Sequence, residues 1–253
     1  MSSSKIKETL IREIRIQKQL NHEYICRLYT SFEDKTTIYL ALEYASKGNL
    51  FYLIRKEKYL SEDTAFYFFI QVCSGIYYLH KQGLIHRDIK PENILIKEGN
   101  IIKICDFGWC VQSDHMQQRN TFCGTLEYMA PEMVTEAGHS FPVDWWALGI
   151  ITYEMLVSFA PFYTGETNGA NKKMKDMILN KAVFFPNAKQ HGFELSEPAK
   201  DFISKLLAKK PEERLGSKNG ASEILEHPWL ADIDQDKLLS KEIEIDEHLE
   251  IQI

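Results

Sequence analysis

Two short stretches of this sequence hold the residues whose types and spacing could do chemistry. One reads HRDIKPEN at residues 86–93, and the other reads DFG at residues 106–108. Asp88 can accept the proton of a hydroxyl group and hold its oxygen in place, while Lys90 can set a positive charge beside the group that is attacked. Phosphoryl transfer needs this kind of help, because it depends on positioning and charge neutralisation more than on covalent chemistry.

The same two stretches also supply oxygen ligands for a metal ion. Asn93 and Asp106 carry hard oxygen atoms, and Mg²⁺ needs only one or two protein carboxylates beside its waters and phosphate oxygens. Each tripeptide alone occurs by chance in unrelated chains. A third motif, APE at residues 130–132, follows at the distance of an activation segment. The three motifs in this order are much rarer than any one of them and predict a phosphoryl-transfer site.

With these motifs, the chain resembles the eukaryotic protein kinases over essentially all of its length. The resemblance implies an α+β, bilobal protein-kinase-like fold with a truncated N-lobe and a mostly helical C-lobe. It divides the chain into a partial N-lobe at 1–42, a hinge at 43–48, a C-lobe at 49–230 and the start of a C-terminal tail at 231–253. The implied activity is transfer of the ATP γ-phosphate to serine or threonine hydroxyls of proteins, with ATP and Mg²⁺ as cofactors.

The resemblance also implies the residues of the ATP site. Asp88 and Lys90 are the expected catalytic residues. The expected ATP-binding residues are Glu13, Glu43, Ala45, Glu92, Asn93 and Asp106, of which Asn93 and Asp106 are also the metal ligands. Backbone groups of Glu43 and Ala45 would contact the adenine, Glu92 would lie by the ribose, and Glu13 matches the glutamate that orients a strand lysine on the phosphates.

Control and substrate choice follow from the same resemblance. Arg87 is the expected phosphate-sensing arginine, and Thr121 is the expected phosphorylation site of the activation loop, modified by an upstream kinase or by autophosphorylation. Thr125, Glu92 and Glu154 are the expected substrate-binding residues. The two glutamates match positions that read arginine in basophilic kinases, although Asn49 stands where a third carboxylate is usual.

The subfamily is indicated by further motifs. Lys90 and the run GTLEYMAPE at 124–132 resemble serine/threonine kinases, and the run RLGSKNG at 214–220 resembles the AGC group. Trp109 and Gln17 are instead similar to residues of the Aurora kinases. The sequence therefore indicates an AGC-type kinase with Aurora-like features and leaves the choice between the two groups open.

Helix and strand patterns place these motifs. Apolar residues at helical spacing predict an N-terminal helix at 5–20, and two β-rich runs at 27–32 and 37–42 predict a hairpin. Ser61 opens a long helix that ends at Lys81, and residues 143–157 are apolar on nearly every face, which predicts a buried helix. Further helices are expected at 171–180, 196–207 and 220–228. Structural roles are expected for His86, for Asp144 below the catalytic loop, and for an ion pair of Glu132 with Arg214.

Composition excludes several classes of protein. The 253 residues are 44% hydrophobic and carry a net charge of −6, which argues against nucleic acid as the main partner. The five cysteines have no metal-ligand spacing, and no apolar run is long enough to span a membrane. We expect a monomer with protein substrates in the cytoplasm or the nucleus.

The front of the chain departs from the kinase pattern. That pattern has a glycine-rich loop and a strand lysine about 15 to 20 residues before the glutamate that Glu13 matches. Glu13 leaves no room for either, and Lys5 and Lys7 lie on the same predicted helix.

The apolar face of the predicted hairpin, built from residues such as Leu28, Ile38 and Leu40, is therefore expected to lack the strands that normally cover it. Two hypotheses follow: the chain is the greater part of an active kinase, or it is a catalytically impaired fragment or pseudokinase that acts as a binding or regulatory module.

Overall fold

The computed structural model describes residues 3–113, 125–165, 170–187 and 194–231. Helix α1 spans Ser3–Gln19, and strands β1, at Leu28–Glu33, and β2, at Ile38–Leu42, form an antiparallel hairpin. The turn of the hairpin is closed by Asp34, whose Oδ1 accepts hydrogen bonds from the backbone of Thr36 and Thr37 at 2.8 Å. A short aspartate side chain favours such turns because it can bond to the backbone two residues further on.

One expectation about this hairpin was wrong in part. The apolar face was expected to be uncovered, but Leu28 is buried, whereas Ile38 and Leu40 are half-buried. The pairing register shifts between Leu28 and Thr30. Such a bulge interrupts the strict alternation of side-chain faces along the strand. The exposed apolar side chains of the hairpin are Tyr29, Phe32, Tyr39 and Leu42.

The C-lobe is mostly helical. Its helices are α2 at Leu50–Glu57, α3 at Glu62–Lys81, α4 at Pro131–Val134, α5 at Pro142–Val157, α6 at Ala170–Asn180, α7 at Glu197–Leu206, α8 at Ala221–Leu225 and α9 at Pro228–Ala231. Two short antiparallel pairs join strands β3 (Leu84–Ile85) with β6 (Val111–Gln112), and β4 (Ile94–Ile96) with β5 (Ile102–Ile104). The bilobal kinase-like fold expected from the sequence is confirmed.

Local sequence explains where these helices begin. The Ser61 hydroxyl accepts a hydrogen bond from the backbone N–H of Thr64, so Ser61 caps α3 as predicted. The helix expected at 220–228 is instead two short helices, because Pro228 has no N–H to continue α8 and is suited to open α9.

The core of the C-lobe is built around α5. All of its residues from Val143 to Val157 are buried, as its apolar composition predicted. Helix α3 packs on one side of α5 and α7 on another, so the long helices support the loops that follow β3 and β5. No helix in the described part of the chain is both long enough and apolar enough to cross a membrane.

Candidate active site

The short β4–β5 pair brings the two polar motifs of the sequence together. The HRDIKPEN stretch runs from the end of β3 into β4, and the DFG stretch follows β5 directly. The Cys105 backbone N–H donates to the Asn93 carbonyl at 2.9 Å, so Asn93 lies beside the residue that precedes Asp106. Residues that are separate in the sequence therefore face one site.

Asp88 is held from three sides. Its side chain is nearly buried, and Oδ2 accepts hydrogen bonds from Lys90 Nζ at 2.8 Å and from Asn93 Nδ2 at 3.2 Å. Oδ1 accepts from the Thr125 backbone N–H at 3.3 Å, and Lys90 Nζ also reaches Thr125 Oγ1 at 3.1 Å. The four residues form one hydrogen-bonded cluster in which the carboxylate of Asp88 has a fixed direction.

The expected metal ligands have the chemistry that Mg²⁺ requires. The amide nitrogen of Asn93 is committed to Asp88, which turns the amide oxygen toward another partner. Asp106 is exposed, its φ of 63° lies in the left-handed region, and its Oδ1 accepts only a 3.3 Å hydrogen bond from Gly108 N among the described residues. An exposed carboxylate beside an amide oxygen fits a hard cation that keeps several waters.

Asp144, at the start of α5, anchors the catalytic loop from below. Its carboxylate accepts hydrogen bonds from the backbone N–H groups of His86 at 3.0 Å and Arg87 at 2.9 Å, and from His80 Nε2 at 2.8 Å. Burial alone would raise the pKa of Asp144, but the hydrogen bond and charge of His80 bring it below its ordinary value. These contacts stabilise Arg87 in the left-handed region, at φ 68°.

His86 has the packing role expected from the sequence. It is fully buried, and its ring lies edge-on to Phe107 with centroids 5.1 Å apart. Burial lowers its pKa, so the ring is neutral at physiological pH. Its contact links the HRDIKPEN stretch to the DFG stretch through the protein interior.

The guanidinium of Arg87 points toward the activation segment. Its Nε donates to the Trp109 carbonyl at 2.7 Å, and its Nη1 lies 3.0 Å from His139 Nε2. Arginine is always a donor, so His139 accepts this hydrogen bond. No pattern in the sequence indicated a role for His139. Thr121, the expected phosphorylation site, lies outside the described residues.

Glu13 on α1 lies against the DFG stretch. Its carboxylate is close to Gly108, and the neighbouring Arg12 donates to the Gly108 carbonyl at 3.4 Å. Burial, and then the charge of Asp106, raises the pKa of Glu13. Among the side chains that the structure describes, no lysine forms an ion pair with Glu13.

The hinge presents its backbone toward the cleft. The side chain of Glu43 is held by Lys97 at 2.8 Å and by Lys103 at 2.9 Å, so it is not available to a ligand. Within the described residues, Ala45 makes no backbone hydrogen bond to another backbone group. The peptide groups of Glu43 and Ala45 are therefore the parts of the hinge that could contact an adenine.

Glu92, Glu127 and Glu154 form an acidic cluster that includes two of the expected substrate-binding residues. Glu154, on α5, accepts a 2.7 Å hydrogen bond from the Tyr128 hydroxyl and lies 3.7 Å from Arg55 on α2. Burial raises the pKa of Glu154 to about 7. Glu92 has a buried carboxylate oxygen without a hydrogen-bond partner among the described residues. Burial, followed by the charge of Glu92, raises the pKa of Glu127.

Sequence reasoning missed part of this cluster. Glu127 and Tyr128 lie in the quoted GTLEYMAPE run, but nothing in their spacing indicated that they would meet Glu154. No sequence pattern indicated that Arg55 would take part in the cluster. Asn49, which stands in place of a third carboxylate, caps α2 by accepting a hydrogen bond from the Tyr52 backbone N–H at 3.1 Å.

Comparison with known proteins agrees with this geometry. Residues 1–230 match the protein kinase domain family. The chain is 41% identical to the Aurora kinase of Schizosaccharomyces pombe over 90% of its own length and 60% of the relative. It is 40% identical to the serine/threonine-protein kinase Aurora-2 of Arabidopsis thaliana, over 91% of the chain and 77% of the relative.

A relative from another group is nearly as similar. The cAMP-dependent protein kinase catalytic subunit of Dictyostelium discoideum is 38% identical over 92% of the chain and 34% of the relative. The chain thus spans only part of the length of several relatives, and its similarity extends beyond the Aurora kinases. The chain belongs to the protein kinase domain family, with the Aurora-like features that its sequence indicated.

Proposed function

We propose that this chain carries the catalytic machinery of an ATP-dependent serine/threonine protein kinase. The observation that carries the proposal is the cluster in which Lys90, Asn93 and the Thr125 backbone all contact the carboxylate of Asp88. A buried carboxylate that is oriented by three separate donors is suited to receive one proton in one direction. A serine or threonine hydroxyl is the acceptor expected at this position.

Each residue has a distinct part in the transfer. Asp88 takes the proton of the substrate hydroxyl and aligns its oxygen, while Lys90 places a positive charge next to the transferred phosphoryl group. Asn93 and Asp106 would hold Mg²⁺, which supplies charge neutralisation at the phosphate oxygens when bound. The backbone of Glu43 and Ala45 holds the adenine, and Glu92 lies by the ribose.

The acidic cluster supports a preference for basic substrates. The cluster contains Glu92, Glu127 and Glu154, which lie near one another. One carboxylate oxygen of Glu92 lacks a hydrogen-bond partner among the described residues. A buried acceptor without a partner is costly, and an arginine fork is the donor that best satisfies several carboxylates. Arg55 already neutralises part of the cluster, and Asn49 adds no charge. The preference is therefore for a single upstream arginine rather than for a basic run.

A second function is favoured by the surroundings of Glu13. No described lysine pairs with its carboxylate, although a cation on the α- and β-phosphates is part of the kinase mechanism. A chain without that cation would bind nucleotide weakly and would act through its surfaces on other proteins. The first function remains the leading proposal. It is phosphoryl transfer that is controlled by phosphorylation of Thr121, either by an upstream kinase or by autophosphorylation.

Two matched substitutions test the division of roles. In a catalytically competent form, Asp88→Asn should abolish transfer to an arginine-containing serine peptide and leave ADP affinity nearly unchanged. Asp106→Asn should weaken the binding of magnesium-ADP itself. Isothermal titration calorimetry and radiolabelled phosphate transfer measure the two quantities. Equal loss of nucleotide affinity in both variants would contradict the assignment.

A further inference from the structure

Cys26 and Cys105, two free thiols in the described part of the chain, lie on neighbouring backbone segments. Ile25 and Ile104 form an isolated parallel β-bridge, and the Cys26 backbone N–H donates to the Ile104 carbonyl at 2.9 Å. If the register of this bridge is continued by one residue, Cys26 stands opposite Cys105. Paired residues of adjacent strands are about 4.8 Å apart and point to the same face of the sheet.

The pair borders the cleft between the hinge and the DFG stretch. Cys26 Sγ lies 3.6 Å from the Glu43 backbone oxygen, and Cys105 directly precedes Asp106. Cys26 is buried, whereas Cys105 is half-buried, so a small ion can reach the pair past Cys105.

The geometry points to a two-thiol binding site, formed by Cys26 and Cys105, for a soft thiophilic ion, with Cu(I) as the ion that fits best. Thiolates are soft ligands that favour Cu(I). A disulfide is a poorer match, because it needs Cβ atoms about 3.8 Å apart, which is closer than neighbouring strands. Binding breaks two S–H bonds and forms two Cu–S bonds, the two protons pass to solvent, and no electron is transferred.

Zinc fits this pair less well. A structural zinc ion takes four ligands from cysteine, histidine or carboxylates. No cluster of three or more such side chains able to hold a metal ion occurs among the described residues. An ion that is satisfied by two thiolates is therefore the better match.

Binding at the pair would also affect the cleft. The ion would lie beside the Glu43 carbonyl, where the adenine is expected, so one bound Cu(I) should exclude nucleotide. This consequence rests on the proposed function, whereas binding of the ion does not.

The test measures Cu(I) binding to the 253-residue chain. Cys123, which lies outside the described residues, is first replaced by serine. Cu(I) is then offered anaerobically from a bathocuproine buffer, and native mass spectrometry counts the bound ions. We expect one ion per chain, lost in both Cys26→Val and Cys105→Ser but retained in Cys73→Ala, which removes a buried thiol on α3. Retention of the ion in either of the first two variants, or its loss in the control, would overturn the site.

Three further measurements complete the test. Circular dichroism shows whether each variant is folded. If a variant is not folded, X-ray absorption of the copper-loaded parent should show two sulfur neighbours, and a larger number of ligands would refute the site.

Displacement of a fluorescent ADP analogue by one equivalent of Cu(I) tests the consequence for nucleotide binding. Copper binding without displacement would overturn that consequence, whereas an analogue that fails to bind before copper is added would count against the proposed function.

Discussion

The ion pair between Glu132 and Arg214 links the end of the activation segment to the C-lobe core. Arg214 Nη1 and Nη2 donate to the two carboxylate oxygens of Glu132 at 2.7 and 2.9 Å, and both side chains are buried. Arg214 also donates to the carbonyls of Ala208 and Pro142, and its guanidinium lies 5.1 Å from the ring centre of Trp146. The pair predicted from the sequence is confirmed.

Removal of one partner should destabilise the fold strongly. Glu132→Gln leaves a buried guanidinium without its counter-charge, and Arg214→Met leaves a buried carboxylate. Breaking a buried pair in this way costs about 3 to 5 kcal/mol. For a chain of this size, that loss lowers the melting temperature by roughly 6 to 20 °C. Differential scanning calorimetry and urea denaturation measure the change.

A double-mutant cycle separates the interaction between Glu132 and Arg214 from the other contacts that each side chain makes. Glu132→Gln combined with Arg214→Met removes both charges, so it should be less destabilised than the sum of the two single variants by at least about 1.5 kcal/mol. As a matched control, Lys210→Gln breaks the exposed 2.7 Å pair with Glu213 and should leave the melting temperature unchanged. Additive single effects, or a control as large as the buried variants, would refute the reasoning.

Three other outcomes are expected. Because burial raises the pKa of Glu154 to about 7, affinity for an arginine-containing peptide should rise several-fold as pH increases through that value, when the carboxylate gains its charge. Glu154→Gln should flatten this profile in fluorescence anisotropy, and a flat profile in the parent would contradict the assignment. Phosphorylation of Thr121 should slow limited proteolysis of the activation segment, because Arg87 then makes charge-assisted bonds to the phosphate, and Arg87→Ala should remove the effect. Unchanged proteolysis would show that another contact orders the segment. The 253-residue chain should bind ATP about ten- to a hundred-fold more weakly than a kinase domain with a lysine paired to the matching glutamate, since a charge-assisted phosphate contact is worth roughly 1.5 to 3 kcal/mol. Calorimetry tests this, and an ATP affinity equal to that of such a kinase domain would refute it.

Much of the fold was predictable because its signals are local. The apolar periodicity of residues 5–20, the Ser61 cap and the all-round apolar character of residues 143–157 each depend on neighbours a few positions away. The error at 220–228 has a local cause too, since the break at Pro228 was visible in the sequence and was not used. The uncovered face expected at Leu28 failed for a different reason, because a bulge in strand pairing leaves no clear pattern in the sequence.

The candidate site was only partly predictable. The types and order of Asp88, Lys90, Asn93 and Asp106 indicated the chemistry, because each residue type answers a separate need of phosphoryl transfer. Their proximity required the β4–β5 pair, in which the Cys105 N–H donates to the Asn93 carbonyl. A motif can name the groups that react, but hydrogen bonds between strands set the distances between them.

The sequence by itself indicated the protein kinase family and the helices that carry the candidate site, because residue type and short spacing are enough for both. Only the tertiary structure decided that Arg55 meets Glu154, that His139 accepts from Arg87 and that the Cys26 backbone N–H donates to the Ile104 carbonyl. These partners are far apart along the chain and belong to different elements. Their contacts depend on how helices and strands pack, and side-chain packing is a property of the whole core rather than of any short segment.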